Sequence, residues 1–240
     1  MNDDDLTYRM TRPTPARPLT GLSLLLVEDS RFTCEALRLM CMRSGARIRR
    51  ADSLRSARRH LSIYRPDCLM VDLGLPDGNG CDLIAELTDT AMRPPVLIAI
   101  SGDQGLEAPA LQAGANAFIP KPLQSLSVFQ ETILSFLPVN RHPTGPRMIN
   151  EERINPDRLA YYDDLSHVVH MLDEDRDQTC SKLGYALQFL RGVAISADDT
   201  PVMDAVESLS QAIQGGQPAA PARANLAALL QQRMNALAVA

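Results

Sequence analysis

The stretch VDLGLPDGNG, residues 71–80, decides the fold of this chain. It begins at the end of an apolar run, residues 68–71, whose length and composition predict a short buried strand. Asp72 follows where that strand ends, and a turn rich in Gly, Pro, Asp and Asn comes next. In an open parallel sheet, ligands bind just outside the carboxyl ends of the strands, so Asp72 is a candidate for chemistry. The alternative is a turn acid that caps the next helix, which is common for Asp.

The rest of the first half repeats this pattern of strand, turn and helix. Short apolar runs alternate with segments of helical periodicity, and the predicted strands lie at residues 22–27, around 48, at 68–71, at 96–100 and at 117–119. Five such units in succession predict a doubly wound α/β domain, in which helices cover both faces of a five-stranded parallel sheet.

Composition narrows the class of protein. The chain has 240 residues, 45% of them hydrophobic, which is enough for a substantial core. A net charge of −5, aromatic residues at 4% and the absence of Trp argue against a nucleic-acid-binding surface. Five Cys without a CxxC pair indicate reduced thiols. No apolar run approaches the ~18 residues that span a bilayer, and MNDDD does not resemble a signal peptide, so we expect a cytoplasmic protein without a membrane partner.

Polar side chains follow four of the five predicted strands. Glu28 and Asp29 follow the first, Asp72 the third, Ser101 the fourth and Lys121 the fifth. If the middle strands are neighbours, all of these side chains meet at one edge of the sheet. Three carboxylates in one small site repel one another, and a divalent cation relieves that repulsion. An all-oxygen site of this kind suits Mg²⁺.

The same edge offers groups for an incoming anion. Lys121 supplies a positive charge and the Ser101 hydroxyl a hydrogen bond, so the predicted chemistry is phosphoryl transfer onto a carboxylate. Asp72 is the predicted acceptor because it is central, and Gly74, two residues later, lets the backbone approach both ligand and metal. Glu28 and Asp29 are adjacent, which suits a metal-holding pair. Taken singly, Lys121 could instead be a solvated loop charge and Ser101 a helix cap.

Residues 22–137 resemble the receiver domain of two-component response regulators. The matching pieces stand after the expected strands and in the expected order: Glu28-Asp29, DLGLPDGNG, Ser101, Phe118 and Lys121-Pro122. The resemblance implies a flavodoxin-like sheet with strand order 2-1-3-4-5. Two departures are small, since Glu stands at 28 where Asp is commoner and Ser stands at 101 where Thr is commoner.

The resemblance also implies a role for each site residue. Asp72 would accept the phosphoryl group, and Mg²⁺ would be bound by Asp29, Asp72 and the Gly74 carbonyl, with Glu28 acting through water. Ser101 and Lys121 would contact the phosphoryl oxygens. Phe118 would turn inward as Ser101 moves, although Phe118 alone could also be a core residue. The donor would be a histidine kinase or a phosphotransfer protein, and the protein would be a phosphoacceptor rather than an enzyme.

The sequence predicts four regions along the chain. Residues 1–20 carry three Pro and mixed charges and predict a disordered arm, residues 21–137 the receiver-like domain, and residues 138–156 a Pro-containing linker. Residues 157–240 show helical periodicity throughout and predict an all-α bundle of three or four helices. Within that bundle, QPAAPA at 217–222 predicts a short hinge before a last helix at about 225–238.

The helical half leaves three functions open. From residue 151 onward it has 13 Asp and Glu against 7 Lys and Arg, a net charge of −6 without a basic recognition helix, so we do not expect DNA binding. A histidine phosphotransfer bundle needs an exposed mid-helix His, and His167 and His170 are the candidates, but neither is followed by the Lys and small residue which that family carries. A module for self-association, giving a homodimer, or for a protein partner remains. We expect it to be switched through the face formed by the fourth helix, fifth strand and fifth helix of the receiver-like domain.

Overall fold

A computed structural model describes residues 12–146, 152–174 and 180–238 of the chain. The chain divides into two compact units. The first contains the residues up to Asp29 together with Ala36–Asn155, and the second contains Ser30–Glu35 together with Pro156–Ala240. The two units are described in turn.

A five-stranded parallel sheet is the centre of the first unit. Its strands are β1 Ser23–Val27, β2 Arg47–Ala51, β3 Cys68–Asp72, β6 Val96–Ser101 and β7 Ala117–Pro120. Their order across the sheet is β2-β1-β3-β6-β7, which confirms the predicted flavodoxin-like order. A two-stranded antiparallel hairpin, β4 Gly74–Leu75 with β5 Gly78–Asn79, lies in the loop after β3.

Helices alternate with these strands, as the periodicity predicts. They are α1 Arg31–Ser44, α2 Leu54–Leu61, α3 Gly80–Thr88, α4 Glu107–Ala113 and α5 Leu126–Ser135. Side chains that the sequence places before helices cap several of them. Ser53 accepts a hydrogen bond from the N–H of Ser56 at the start of α2, and Ser125 accepts one from Val128 at the start of α5.

The central strands are buried along their whole length. Every residue of β3 and β6 is buried, because helices cover both faces of a doubly wound sheet and neighbouring strands pair with both edges of each strand. The edge strand β2, with the sequence RIRRA, is mostly exposed except at Ala51. The polar side chains that follow β1, β3, β6 and β7 therefore lie at the rim of a rigid core.

The predicted domain boundaries differ from the structure at both ends of the first unit. Leu19 is fully buried and its N–H donates to the Ser44 carbonyl at 2.9 Å, so the expectation of a disordered arm is wrong for residues 12–20. The rest of that arm, residues 1–11, lies outside the described residues. In the predicted linker, Ile154 is buried and its N–H donates to the Gln124 carbonyl, while residues 147–151 lie outside the described residues.

Among the residues that the structure describes, four helices form the second unit together with Ser30–Glu35. They are α6 Arg158–Glu174, α7 Cys180–Ser196, α8 Thr200–Gln214 and α9 Ala220–Ala238. α6 packs against α7 and α9, and α8 packs against the same two helices, so the unit is a closed four-helix bundle. Its core holds apolar residues of all four helices and Phe32 of the Ser30–Glu35 segment.

Two features of the bundle were missed or wrong in the sequence prediction. α9 begins at Ala220, so part of the hinge predicted at 217–222 is helix, because a Pro such as Pro221 is tolerated in the first turn. Asp199 accepts hydrogen bonds from the Tyr161 hydroxyl and from Arg233 at 2.9 and 2.8 Å, and so joins α6 and α9 to the start of α8. No described helix has the length and apolar character needed to cross a membrane.

Candidate functional site

Three carboxylates meet at the carboxyl edge of the sheet. Glu28 and Asp29 follow β1, Asp72 ends β3, and these strands are neighbours paired in register with Val27 opposite Val71. One oxygen from each of the three carboxylates lies within 4.8 Å of the others. Glu28 and Asp72 are buried and Asp29 is half-buried. The predicted acidic cluster is therefore present, in a geometry that could hold one cation.

Lys121 lies within the same cluster. Its Nζ is 2.8 Å from Glu28 Oε2 and 3.1 Å from Asp72 Oδ1, and its side chain is only 4% exposed. β7 positions it, because β7 pairs with β6 and the Lys121 N–H donates to the Ser101 carbonyl at 2.8 Å. The peptide bond between Lys121 and Pro122 is cis. Lys121 is therefore a buried cation held against two carboxylates, not a solvated loop charge.

The protonation of this cluster follows from burial and from its mixed charges. Burial raises the pKa of Glu28 well above its ordinary value, and the negative charges of Asp72 and Asp29 raise it further, while Lys121 opposes the shift. Burial alone would lower the pKa of Lys121, but the attraction of Asp72 and Glu28 outweighs it and raises that pKa above its ordinary value. Lys121 therefore remains a cation at neutral pH.

The loop after β3 contains the residue that caps α3, and that residue is not Asp72. The cap of α3 is Asn79, whose side-chain oxygen accepts from the Cys81 N–H at 2.9 Å. Asp72 therefore remains available to the acidic cluster. A Cβ at Gly80 would lie 2.2 Å from the Asp72 carbonyl oxygen, so only glycine lets α3 begin so close to the end of β3. Gly74 lies in the same loop, two residues beyond Asp72, as the sequence predicts.

Ser101 and Phe118 lie on adjacent strands beside the cluster. Ser101 ends β6 and is buried, and its Oγ accepts a hydrogen bond from the Asp103 N–H at 3.1 Å. Phe118 on β7 pairs with Ala99 of β6, is half-buried and packs against the main hydrophobic core. Ser101 thus lies at the same edge of the sheet as Lys121. Phe118 lies on β7, the strand next to that of Ser101, and is partly in the core.

Two contacts at this edge were missed by the sequence prediction. The Arg50 guanidinium, at the end of β2, donates to the backbone carbonyls of Glu28 and Asp29 at 3.3 and 2.9 Å. Asp77, the first residue of DGNG, accepts from the N–H groups of Leu54 and Arg55 at 2.8 and 2.9 Å and so caps α2. Both contacts join residues more than 20 positions apart, so local sequence patterns gave no signal for them.

The two candidate histidines of the helical half lie on one helix. His167 and His170 are both exposed in the middle of α6. The ring of His167 packs edge-on against Phe189, with 5.8 Å between the ring centroids. Their exposure is compatible with a surface role and with a phosphotransfer role, and both stay predictions.

Taken together, the edge can hold a cation and an anion side by side. The three carboxylates supply oxygen ligands to a divalent metal. Lys121 and the Ser101 hydroxyl supply a charge and a donor to an anionic group placed beside Asp72. Chemically, an acid next to both can act as a nucleophile, because a neighbouring positive charge assists attack on phosphorus.

The first half of the chain matches known proteins. Residues 24–132 match the family described as the response regulator receiver domain. The KDP operon transcriptional regulatory protein KdpE of Escherichia coli K12 is 30% identical over 100 residues, which cover 42% of this chain and 44% of that protein. The virulence transcriptional regulatory protein PhoP of Salmonella typhimurium strain 14028s is 31% identical over 103 residues, which cover 42% and 46%. The chain therefore spans about half the length of these curated relatives.

Solved structures match over the same half. A putative response regulator from Chloroflexus aurantiacus is 27% identical with a TM-score of 0.44, covering 48% of this chain and 98% of that one. The receiver domain of the sensor histidine kinase PA1611 from Pseudomonas aeruginosa PAO1, solved with a magnesium ion in its active-site cleft, is 25% identical with a TM-score of 0.44, covering 48% and 96%. The family match and the sheet order together identify residues 24–132 as a response regulator receiver domain of two-component signal transduction.

Proposed function

We propose that this protein is a response regulator whose Asp72 accepts a phosphoryl group from a histidine kinase or a phosphotransfer protein. One observation carries the proposal. Asp72 lies at the carboxyl end of a central strand, its carboxylate 3.1 Å from the buried Lys121 cation and within the cluster that Glu28 and Asp29 complete. That arrangement supplies a nucleophile and a fixed positive charge at the same point, as phosphoryl transfer requires.

The donor set of the cluster fits Mg²⁺. All the ligand atoms that the three side chains offer are carboxylate oxygens, which this ion prefers, and the Gly74 carbonyl belongs to the same loop. Mg²⁺ bound by Asp29 and Asp72, with Glu28 acting through water, would neutralise charge on the phosphoryl oxygens. Lys121 would bind one of those oxygens and Ser101 another. Phe118, which lies opposite Ala99 on the strand adjacent to that of Ser101, would follow the movement of Ser101.

The helical half would be the output of this switch. Its net charge of −6 favours a protein partner or self-association over a nucleic acid. The relatives named above are transcriptional regulatory proteins, but they match this chain only over its receiver half. DNA binding by the helical half therefore remains the competing function, and phosphotransfer through His167 or His170 remains a third.

A pair of neighbouring variants tests the acceptor. Asp72→Asn keeps the size of the side chain but removes the nucleophile, so a small phosphodonor with Mg²⁺ should leave no hydroxylamine-sensitive label on it. Asp77→Asn is the matched control, since Asp77 lies on the same loop but caps α2 and is no part of the cluster. It should be labelled like the wild type. If the Asp72 variant is still labelled, the assignment of Asp72 as the phosphoacceptor is wrong.

A further inference from the structure

A buried acid in the helical unit caps α1. Asp164 of α6 is 2% exposed. Its Oδ1 accepts from the Arg31 N–H at 2.9 Å, and its Oδ2 accepts from the Phe32 N–H at 3.0 Å and from the Ser30 hydroxyl at 2.8 Å. Three hydrogen bonds from one short segment therefore converge on a single carboxylate.

The N–H groups at the start of α1 need hydrogen-bond acceptors, and Asp164 supplies them. The first N–H groups of a helix have no partner within it, and the Ser30 Oγ accepts the Thr33 N–H at 3.0 Å. Asp164 takes the N–H groups of Arg31 and Phe32, and a negative charge is favourable at this end of a helix. A Ser before a helix is an ordinary cap, but the sequence gives no sign of a partner 134 positions away.

Neighbouring contacts strengthen the attachment of this segment to the bundle. The Phe32 ring lies in the hydrophobic core of the helical unit, with 5.6 Å between its centroid and that of Tyr161. The hydroxyls of Thr33 and Ser196 are 3.2 Å apart. Arg31 and Asp163 form an ion pair at 2.7 Å that is largely exposed and therefore contributes little.

The position of this segment in the chain makes the contact informative. Ser30 directly follows Asp29, one of the three acids of the cluster, and α1 continues from Ser30–Glu35 into the first unit. We propose that Asp164 is a latch that holds Ser30–Glu35 in the helical unit, and that phosphorylation at Asp72 weakens this latch. The release step rests on the proposed function, whereas the latch itself rests only on the contacts of Asp164.

Charge gives the direction of the coupling. With Mg²⁺ present in both states, the acyl phosphate carries about −1.5 to −2 charges in place of the single negative charge of the Asp72 carboxylate, so the acidic cluster becomes more negative by about 0.5 to 1 charge. The start of α1 directly follows Asp29 in the chain, so the added negative charge competes with Asp164 for the positive end of that helix. By linkage, phosphorylation and the opening of the latch favour each other by the same factor. Phosphorylation would therefore act on two parts of the chain. One is the expected switching face of α4, β7 and α5, and the other is the start of α1.

Hydrogen exchange of the full chain, followed by mass spectrometry, tests the latch directly. In the Asp164→Asn variant the Arg31 and Phe32 amides should exchange at least about tenfold faster, because they lose a charged acceptor. Asp163→Asn is the matched control on the same helix, and exchange there should rise less than about threefold because only an exposed ion pair is lost. Equal exchange in the two variants would overturn the latch.

The release step is tested in the wild type, so it does not depend on the folding of any variant. Adding beryllofluoride, a phosphoryl mimic, to the Mg²⁺-loaded protein should speed exchange in peptides covering residues 30–36. Unchanged or slower exchange there, with altered exchange at residues 68–76, would overturn release while leaving the phosphoacceptor proposal intact. No response at residues 68–76 would instead overturn the phosphoacceptor proposal and release together, and the two variants would still decide the latch.

Discussion

At the scale of single residues, Lys121 places a buried positive charge within the acidic cluster. Its ammonium is buried between Glu28 and Asp72, 2.8 Å from an oxygen of the first and 3.1 Å from an oxygen of the second. Burying a charge is costly unless a partner compensates it, so the cluster depends on all three side chains.

We therefore expect Lys121→Gln to lower the free energy of unfolding of the metal-free protein by about 3 kcal/mol, measured by urea denaturation. Arg58→Gln is the control, because its ion pair with Glu86 is about half exposed and contributes about 1 kcal/mol or less. Adding Glu28→Gln to the Lys121 variant should restore part of the loss. Equal stability of the two single variants would show that Lys121 does not compensate the buried acids.

Residue identity at the site was largely predictable from the sequence, because each site residue stands at a strand end. Glu28, Asp29, Asp72, Ser101 and Lys121 each follow an apolar run that is long enough to be a buried strand. Supporting contacts were not predictable in this way. The hydrogen bonds of Arg50 to Glu28 and Asp29 depend on how two strands pair, and nothing in an Arg-rich edge strand specifies which carbonyls its side chains meet.

At the scale of elements, three helices of the bundle meet around Asp199. The Tyr161 hydroxyl donates to it from α6, Arg233 donates from α9, and the Val202 N–H donates at the start of α8. Burial raises the pKa of Tyr161 above its ordinary value of 10.0, and the negative charge and hydrogen bond of Asp199 raise it further. The neutral, hydrogen-bonded tyrosine is therefore the form that stabilises the bundle.

This shift predicts how stability depends on pH. A group whose pKa is higher in the folded state contributes full stability below its unfolded pKa, near 10, and loses it as pH rises toward the folded value. We expect the urea midpoint of the wild type to fall between roughly pH 9 and pH 11, and Tyr161→Phe to reduce that fall. Tyr162→Phe, one residue away, should keep it. The same slope in both variants would contradict the role given to Tyr161.

Element type was predictable because the periodicity of each segment is strong, but boundaries were less so. The last helix begins five residues before the predicted Asn225, since Pro221 fits the first turn instead of breaking it. The predicted arm ends too late, because Pro18 and Leu19 are buried although their neighbours are polar. In each case a tertiary or positional effect overrides a local composition signal.

At the scale of the whole molecule, the chain joins an α/β receiver domain to an all-α unit of four helices. The receiver carries the acidic site, and the helical unit contains the Ser30–Glu35 segment that directly follows that site in the chain. The function of the helical unit was not predictable from sequence beyond its charge, because a bundle core specifies packing and leaves the partner open.

The charge of the helical half predicts that the full chain does not bind DNA. A net charge of −6 repels phosphates, so a gel shift with duplex DNA at low salt should show no complex, with or without a phosphodonor. The gel shift should use the full chain, because Ser30–Glu35 is part of the helical unit and a fragment of the helical half alone would lack it. A shifted band that disappears as salt is raised would favour the competing function of a transcriptional regulator.

The central claim is that Asp72 takes the phosphoryl group, and locating that group in the wild-type chain tests it most directly. The protein would be treated with a small phosphodonor and Mg²⁺, the acyl phosphate trapped by borohydride reduction, and the digested peptides sequenced by mass spectrometry. We predict one modified position per chain, at Asp72 in VDLGLPDGNG. Modification at another acid, or an acid-labile, base-stable label on the peptide with His167 and His170 and none at Asp72, would contradict the account.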